Sequence, residues 1–317
     1  MPSSISSRFL AYMKTMLEKP NLEYSKGLSE LQGGFHTSIY SFRLHGVDDE
    51  LDRELVLRLF PARYDEVLLE STVQELLAQA GYPVAKPHFV CTDASVLGGT
   101  FFVMDYLQGE LLMMSEEGRS AEILGKAHSE IHSIDPTPLA EALGSQAISN
   151  TTLDSRFDWL QVRTSEMPWL SEVLNWLSIN RPIEGSSLVI CHGDFHGLNV
   201  LVAKGKVTGI LDWTSFLFSS PAYDIARTVM IYSIAAKHMP ILEADVDWND
   251  WVERYLAEYQ KNRLANLESL EYYITLHCIV SLVYGFGGVD FWRQPQIENG
   301  LIERIRNVSG IEVSVPD

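Results

Sequence analysis

A chain of 317 residues, 46% of them hydrophobic and 21% charged, has the composition of a globular protein with room for two compact lobes. Its 42 acidic side chains outnumber 24 basic ones for a net charge of −18, which removes the basic surface that nucleic-acid backbones require. There is no run of 18 apolar residues, no basic start followed by an apolar core in the first residues, and no Cys-x-x-Cys pair among the three cysteines; a membrane span, a secretory signal, a disulfide framework and a zinc site are not expected, and a reducing cytoplasm is.

In chain order, Phe9, Leu10, Met13, Met16 and Leu17 recur at helical spacing and predict an amphipathic N-terminal helix. Gly33-Gly34 makes a turn ahead of β-prone residues that end at Tyr40, and Leu55 to Phe60 reads as a buried strand with Arg58 within it. A helical pattern covers Asp65 to Ala80. Thr100 to Met104 reads as another strand, followed by Asp105-Tyr106-Leu107 and then by Gly109, which lets the chain turn. Ile123, Leu124, Ala127 and Ile131 form an apolar helical stripe that ends near Asp135-Pro136. Leu188 to Ile190 is a strand entering the most informative segment of the chain, and helical patterns follow over 169–177, 222–236, 248–259, 267–284 and 296–305. The tryptophans and tyrosines of these helices read as core, as does Cys191.

That segment is His192-Gly193-Asp194-Phe195-His196-Gly197-Leu198-Asn199, with Asp212 thirteen residues further on. Phosphoryl transfer from ATP needs a carboxylate to orient and deprotonate the acceptor hydroxyl and oxygen ligands to hold Mg²⁺ against the phosphates, and H-x-D-x-x-x-x-N supplies both. Asp194 is thereby the candidate base and Asn199 a candidate metal ligand. Val200 to Val202 leaves the loop, Lys204-Gly205-Lys206 turns, and Val207 to Leu211 returns, so the expected hairpin brings Asp212 back opposite Asn199 to share one metal.

Together with Ile210-Leu211-Asp212-Trp213 and Ser220-Pro221-Ala222-Tyr223-Asp224-Ile225-Ala226, this stretch resembles the aminoglycoside phosphotransferase family of small-molecule kinases, relatives of choline kinase and the protein kinases. The resemblance runs from about Leu31 to Ala226 with motifs and continues as helical character. It implies an α+β, bilobal, protein-kinase-like fold: a β-rich nucleotide-binding lobe over residues 1–108 and a larger helical lobe over 109–317. It also implies that Gly33 and Gly34 cover the phosphates, that Arg58 stands where protein kinases carry a lysine, and that Glu70, in preference to Glu66 or Glu75, is its partner. The backbone of Asp105, Tyr106 and Leu107 would meet the adenine edge. His192 and Asp224 are expected to support the loop structurally. The implied activity is transfer of the γ-phosphoryl of ATP, or of GTP, with Mg²⁺, to a hydroxyl of an aminoglycoside-, choline- or homoserine-like small molecule.

Two other readings stay open. A relative that binds nucleotide without turnover is kept in view by Arg58. A metal-dependent hydrolase would use His192, Asp194 and His196, which alternate and would share one face of an extended strand. Glu243, Asp245, Asp247, Asp250 and Glu253 form the densest acidic cluster. Helix capping accounts for much of it, while Glu243 and Asp245 precede the expected cap at Asp247 and are candidates for attracting a cationic acceptor.

Overall fold

The computed structural model describes residues 4–31, 37–61, 66–115, 120–183, 188–239 and 246–316, the side chains of 145–147 excepted. Gly33, Gly34, Glu243 and Asp245 lie outside the described residues. The chain divides into two compact units, Met1–Gln108 with Gly209–Thr214, and Gly109–Thr208 with Ser215–Asp317.

The first unit is built on a five-stranded antiparallel sheet in the order β1-β2-β3-β5-β4, from β1 (Glu23–Leu31), β2 (Ser38–His45), β3 (Leu55–Leu59), β4 (Pro87–Cys91) and β5 (Phe101–Asp105). Helix α1 (Ile5–Met16) starts at a serine cap, with Ser4 accepting from the Ser7 amide, and buries Phe9 and Met13. Strand alternation decides what each sheet face carries. Leu55, Leu57 and Leu59 of β3 and Phe101 and Val103 of β5 join Phe9, Met13, Phe42 and Leu44 in one apolar cluster. The intervening Phe102 belongs instead to a cluster with Phe60 and Val67 of α2 (Val67–Gln79), and the same alternation sends Arg58 toward that helix.

The second unit is largely helical: α3 (Ala121–His132), α4 (Thr137–Ser149), α5 (Leu153–Thr164), α6 (Ser171–Ile179), α7 (Pro221–Met230), α8 (Trp248–Asn262), α9 (Leu270–Phe286) and α10 (Pro295–Ser309). α7 continues into a π-helical turn over Ile231–Ala235. Among its short strands are β6 (Glu110–Leu111), β7 (Val189–Cys191), β8 (Val200–Ala203) and β10 (Leu217–Ser219), with β10 antiparallel to β7. α9 is buried along nearly its whole length and is the central helix of this unit. No helix of the described residues is long and apolar enough to cross a membrane. All three cysteines are free and buried.

The expected turn after β8 is present: Lys204 (φ +53) and Gly205 (φ +72) both adopt left-handed backbone, as a two-residue hairpin requires, and lead into β9 (Lys206–Ile210). Two helices, α4 and α5, were not expected. The α5 sequence interleaves its apolar residues with charged ones, and its start is marked by a capping box between Thr152 and Ser155.

Candidate active site

The loop of residues 192–199 leaves β7 at Cys191 and is irregular, because Gly193 adopts φ +80. A Cβ at that position would sit 2.1 Å from the Ser215 carbonyl oxygen, so only glycine fits. The extended alternation that would align His192, Asp194 and His196 as metal ligands is therefore absent: His192 is fully buried, while Asp194 and His196 keep 31% and 15% of their side-chain surface open.

One face of α7 and its continuation holds this loop residue by residue. Pro221 opens the helix, where its missing N–H costs nothing. In its first turn, Asp224 accepts the His192 amide at 2.6 Å on Oδ2 and the Gly193 amide at 2.8 Å on Oδ1. One turn on, Arg227 Nε donates to Asp194 Oδ1 at 2.8 Å and Thr228 Oγ1 donates to the Phe195 carbonyl at 2.7 Å. Beyond them the Tyr232 hydroxyl accepts the Gly197 amide at 3.0 Å. Positions 224, 227, 228 and 232 recur at helical spacing, so one helix and its continuation hold residues 192–195 and 197 of an irregular loop.

Around Asp194 the polar set is closed by the loop itself. The Leu198 amide donates to His196 Nδ1 at 3.3 Å, which leaves the Nε2 hydrogen of His196 for Asp194 Oδ2, also 3.3 Å away. Asn199 Nδ2 donates to the Asp194 carbonyl at 2.9 Å, an orientation that leaves its amide oxygen as the group for a cation. Burial opposes the charge on Asp194, but Arg227 and then His196 outweigh it and hold the carboxyl far below the usual carboxylate range. Arg227 is itself anchored by Ser281 Oγ of α9 at 2.9 Å and by the Trp292 ring, 5.1 Å from its guanidinium carbon.

The first unit assembles a second charged group. Arg58 forks, Nη1 to Glu70 Oε1 at 2.5 Å and Nη2 to Asp212 Oδ1 at 3.2 Å. Glu70 is the partner that the helix pattern of α2 supplies. It is 1% exposed, and burial, opposed by Arg58 and reinforced by Asp212, pushes its carboxyl up to about 7. Asp212 is carried here because the Ile210 amide donates to the Pro83 carbonyl at 2.7 Å and Val84 bridges Ile210 in parallel, while Trp213 buries its ring edge-on to Tyr82. Asp212 has φ +62, a left-handed conformation that Asp tolerates better than most residues, and Thr214 Oγ1 donates to its Oδ1 at 2.8 Å. At the end of β5 the amides of Asp105 and Tyr106 donate to the carbonyls of Lys86 and Glu54, and His88 Nε2 lies 3.0 Å from Asp105 Oδ1. At the entry to the second unit, Gly109 has φ +147, and a Cβ there would lie 2.6 Å from Thr208 Oγ1.

The family model described as the phosphotransferase enzyme family matches residues 28–272. The chain belongs to that family. Its fold agrees with solved structures of small-molecule kinases. A Ralstonia eutropha JMP134 protein assigned to the aminoglycoside phosphotransferases superposes with a TM-score of 0.66 at 17% identity, covering 96% of this chain and 95% of that one. The aminoglycoside phosphotransferase APH(4)-Ia, in a ternary complex with ADP and hygromycin B, gives 0.64 at 16% identity, over 95% and 99%. The macrolide 2'-phosphotransferase MphH of Brachybacterium faecium gives 0.57 at 17%, over 96% and 99%. In sequence, acyl-CoA dehydrogenase family member 11 of Gallus gallus is 29% identical over 181 residues, which is 51% of this chain and 22% of that protein. Family member 10 of Mus musculus is 25% identical over 260 residues, 76% of this chain and 23% of that protein. The chain covers less than a quarter of these curated relatives.

Arg227, Thr228 and Tyr232 were not singled out from the sequence. Their signal is present in it, since each lies at helical spacing from Asp224 within a helix that begins at the recognised Pro221-Ala222-Tyr223-Asp224 motif.

Proposed function

We propose that this phosphotransferase moves the γ-phosphoryl group of ATP to a hydroxyl of a small molecule, with Asp194 orienting and deprotonating that hydroxyl. The observation that carries the reading is the partly open Asp194 carboxylate, fixed by Arg227 and His196 on a loop whose backbone is hydrogen-bonded to α7. A carboxylate so strongly paired is a weak base. That suits a reaction whose loose transition state asks mainly for positioning and charge stabilisation, the proton leaving late.

Asn199 and Asp212 are the proposed metal ligands. An amide oxygen and a carboxylate are hard donors, the set that suits Mg²⁺, which when bound would neutralise phosphate charge. Arg58 would supply the permanent positive charge at the phosphates, held ready by buried Glu70. With the Asp105 and Tyr106 amides engaged in the sheet, the Leu107 amide is the hinge donor proposed for the adenine edge. His192 and Asp224 act as structural support.

The relatives supply the acceptor classes for a test. Hygromycin B accompanies one structural neighbour, and the sequence relatives are named for acyl-CoA, a thioester class whose hydroxylated members would offer an acceptor hydroxyl. Purified protein with Mg-ATP or Mg-GTP is screened by thermal shift and phosphate transfer against aminoglycosides, macrolides, choline, homoserine and hydroxyacyl thioesters. Transfer to one class is the expected result. Nucleotide binding without transfer or phosphate release would leave the catalytically silent reading, and hydrolysis independent of nucleotide would leave the hydrolase reading.

A further inference from the structure

Behind the 192–199 loop lies a buried polar network that the phosphotransfer reading does not use. His128 and His132 sit one turn apart on α3, Tyr255 and Tyr259 one turn apart on α8, and with Asp224 all five are at most 1% exposed. The two helices approach closely at Gly125, where a Cβ would lie 2.5 Å from the Tyr255 carbonyl oxygen. The contacts are paired. His128 Nδ1 meets the Tyr255 hydroxyl at 2.6 Å and its Nε2 meets Asp224 Oδ2 at 3.0 Å. His132 Nδ1 meets the Tyr259 hydroxyl at 2.7 Å and its Nε2 meets the same Oδ2 at 3.1 Å.

The hydrogens can be placed by elimination. Asp224 already accepts two backbone amides, and an ionised carboxylate only accepts, so each Nε2 must carry hydrogen. Burial keeps both imidazoles neutral, which leaves each Nδ1 bare and able only to accept from a phenol. Arg263, beside the Tyr259 oxygen, can only donate, so the Tyr259 hydrogen is directed to His132 as the scheme requires. One ligand atom each from His128, His132 and Asp224 lie within 4.8 Å of one another, a spacing an ion could use. The network satisfies every one of those atoms without one, and we assign none.

We propose that Tyr255 and Tyr259, through His128 and His132, fix the Asp224 carboxylate and thereby the backbone of His192 and Gly193, which makes the four side chains positioning residues for phosphoryl transfer. Two aromatic relays converge on one carboxylate oxygen, so Asp224 is locked in rotation as well as in charge. Free to rotate, it would hold one loop amide at the expense of the other. Asp194 begins immediately after these amides, so a small tilt there displaces the candidate base. Their part in phosphoryl transfer rests on the function proposed above; the lock on the loop does not.

The test uses the full chain with Tyr255→Phe, Tyr259→Phe and the double variant, which remove the phenol hydrogens and leave the rings. Phosphate release from Mg-ATP should fall in kcat by roughly ten- to a hundredfold in the double variant, with KM for ATP unchanged, as expected when geometry and not binding is lost. Hydrogen exchange should quicken at the His192 and Gly193 amides more than in α3 or α8. Nitrogen NMR of histidine-labelled wild type should show His128 and His132 as neutral Nε2–H tautomers. Loop exchange that stays at the wild-type rate, Nδ1–H tautomers, or nitrogen shifts showing a metal bound to His128 and His132 would overturn the proposal. A wild type that binds no nucleotide would instead remove the function reading, while exchange and tautomer would still decide whether the relays lock the loop.

Discussion

At Asp194, replacing the carboxylate by its amide separates chemistry from architecture. Asp194→Asn keeps an oxygen for Arg227 but removes the proton acceptor, so turnover should fall by about 10²–10⁴-fold while nucleotide affinity stays near wild type, and the melting temperature should drop because Arg227 and His196 lose the charge they stabilise. Side-by-side calorimetry and turnover assays check this, and near-wild-type turnover would end the assignment. Arg58 poses a different question, because one guanidinium reaches two carboxylates. An ammonium is a point donor without that fork, so Arg58→Lys should bind Mg-ATP more weakly than wild type but better than Arg58→Ala. Equal affinity of the alanine variant and wild type would show that Arg58 has no part in holding phosphate.

At the level of elements, α7 acts as the splint for the loop, and its contacts differ in how they can be broken. Thr228→Val preserves shape and removes the bond to the Phe195 carbonyl, leaving a buried oxygen without its donor at a cost of about 1–3 kcal/mol, readable in denaturant melts. Gly193→Ala attacks the same loop from the other side. Backbone at φ +80 and a Cβ 2.1 Å from the Ser215 carbonyl leave no relaxed position for a methyl group, so this variant should lose more stability than Thr228→Val and be inactive. A stable, active Gly193→Ala protein would mean that the loop has another accessible conformation.

Across the whole molecule, stability should depend on pH through buried histidines. Burial lowers His128, holds His132 at about 4 and His277 at about 3, against an ordinary 6.5. At these three sites the unfolded chain binds protons that the folded one refuses between about pH 6.5 and 3, so their contribution is full above 6.5 and lost as pH falls through that window, offset in part by Glu70, whose carboxyl, raised from 4.5 to about 7, favours the folded chain as pH falls. Each unit of depression corresponds to about 1.4 kcal/mol, so the three together weigh more than any single surface pair. Denaturant melts at pH 7.5, 6, 5 and 4 check this, at about 0.15 M salt to screen the net charge of −18. A flat profile would place these imidazoles in contact with water.

The residues proposed to carry phosphotransfer chemistry form a short local pattern, and such a pattern is legible because spacing along one loop is itself geometry. His192, Asp194 and Asn199 could be named from the chain alone, as could the Lys204-Gly205 turn and the strand that contains Arg58. The fold class came from the resemblance that these motifs carry to the small-molecule kinases, and the family match and the solved structures bear it out. The sequence did not reveal that Arg227 pairs with Asp194, that Arg58 spans both Glu70 and Asp212, or that two histidines 96 and 92 residues upstream close on Asp224. Each of these is a meeting between side chains from different elements, and which meetings occur depends on the angle and approach of packed elements. Tyr255 reads from the sequence only as core, and His128 lies unremarked beside the apolar stripe of its helix. Only the packing of α3 on α8, set by the missing side chain at Gly125, turned them into a hydrogen-bonded pair.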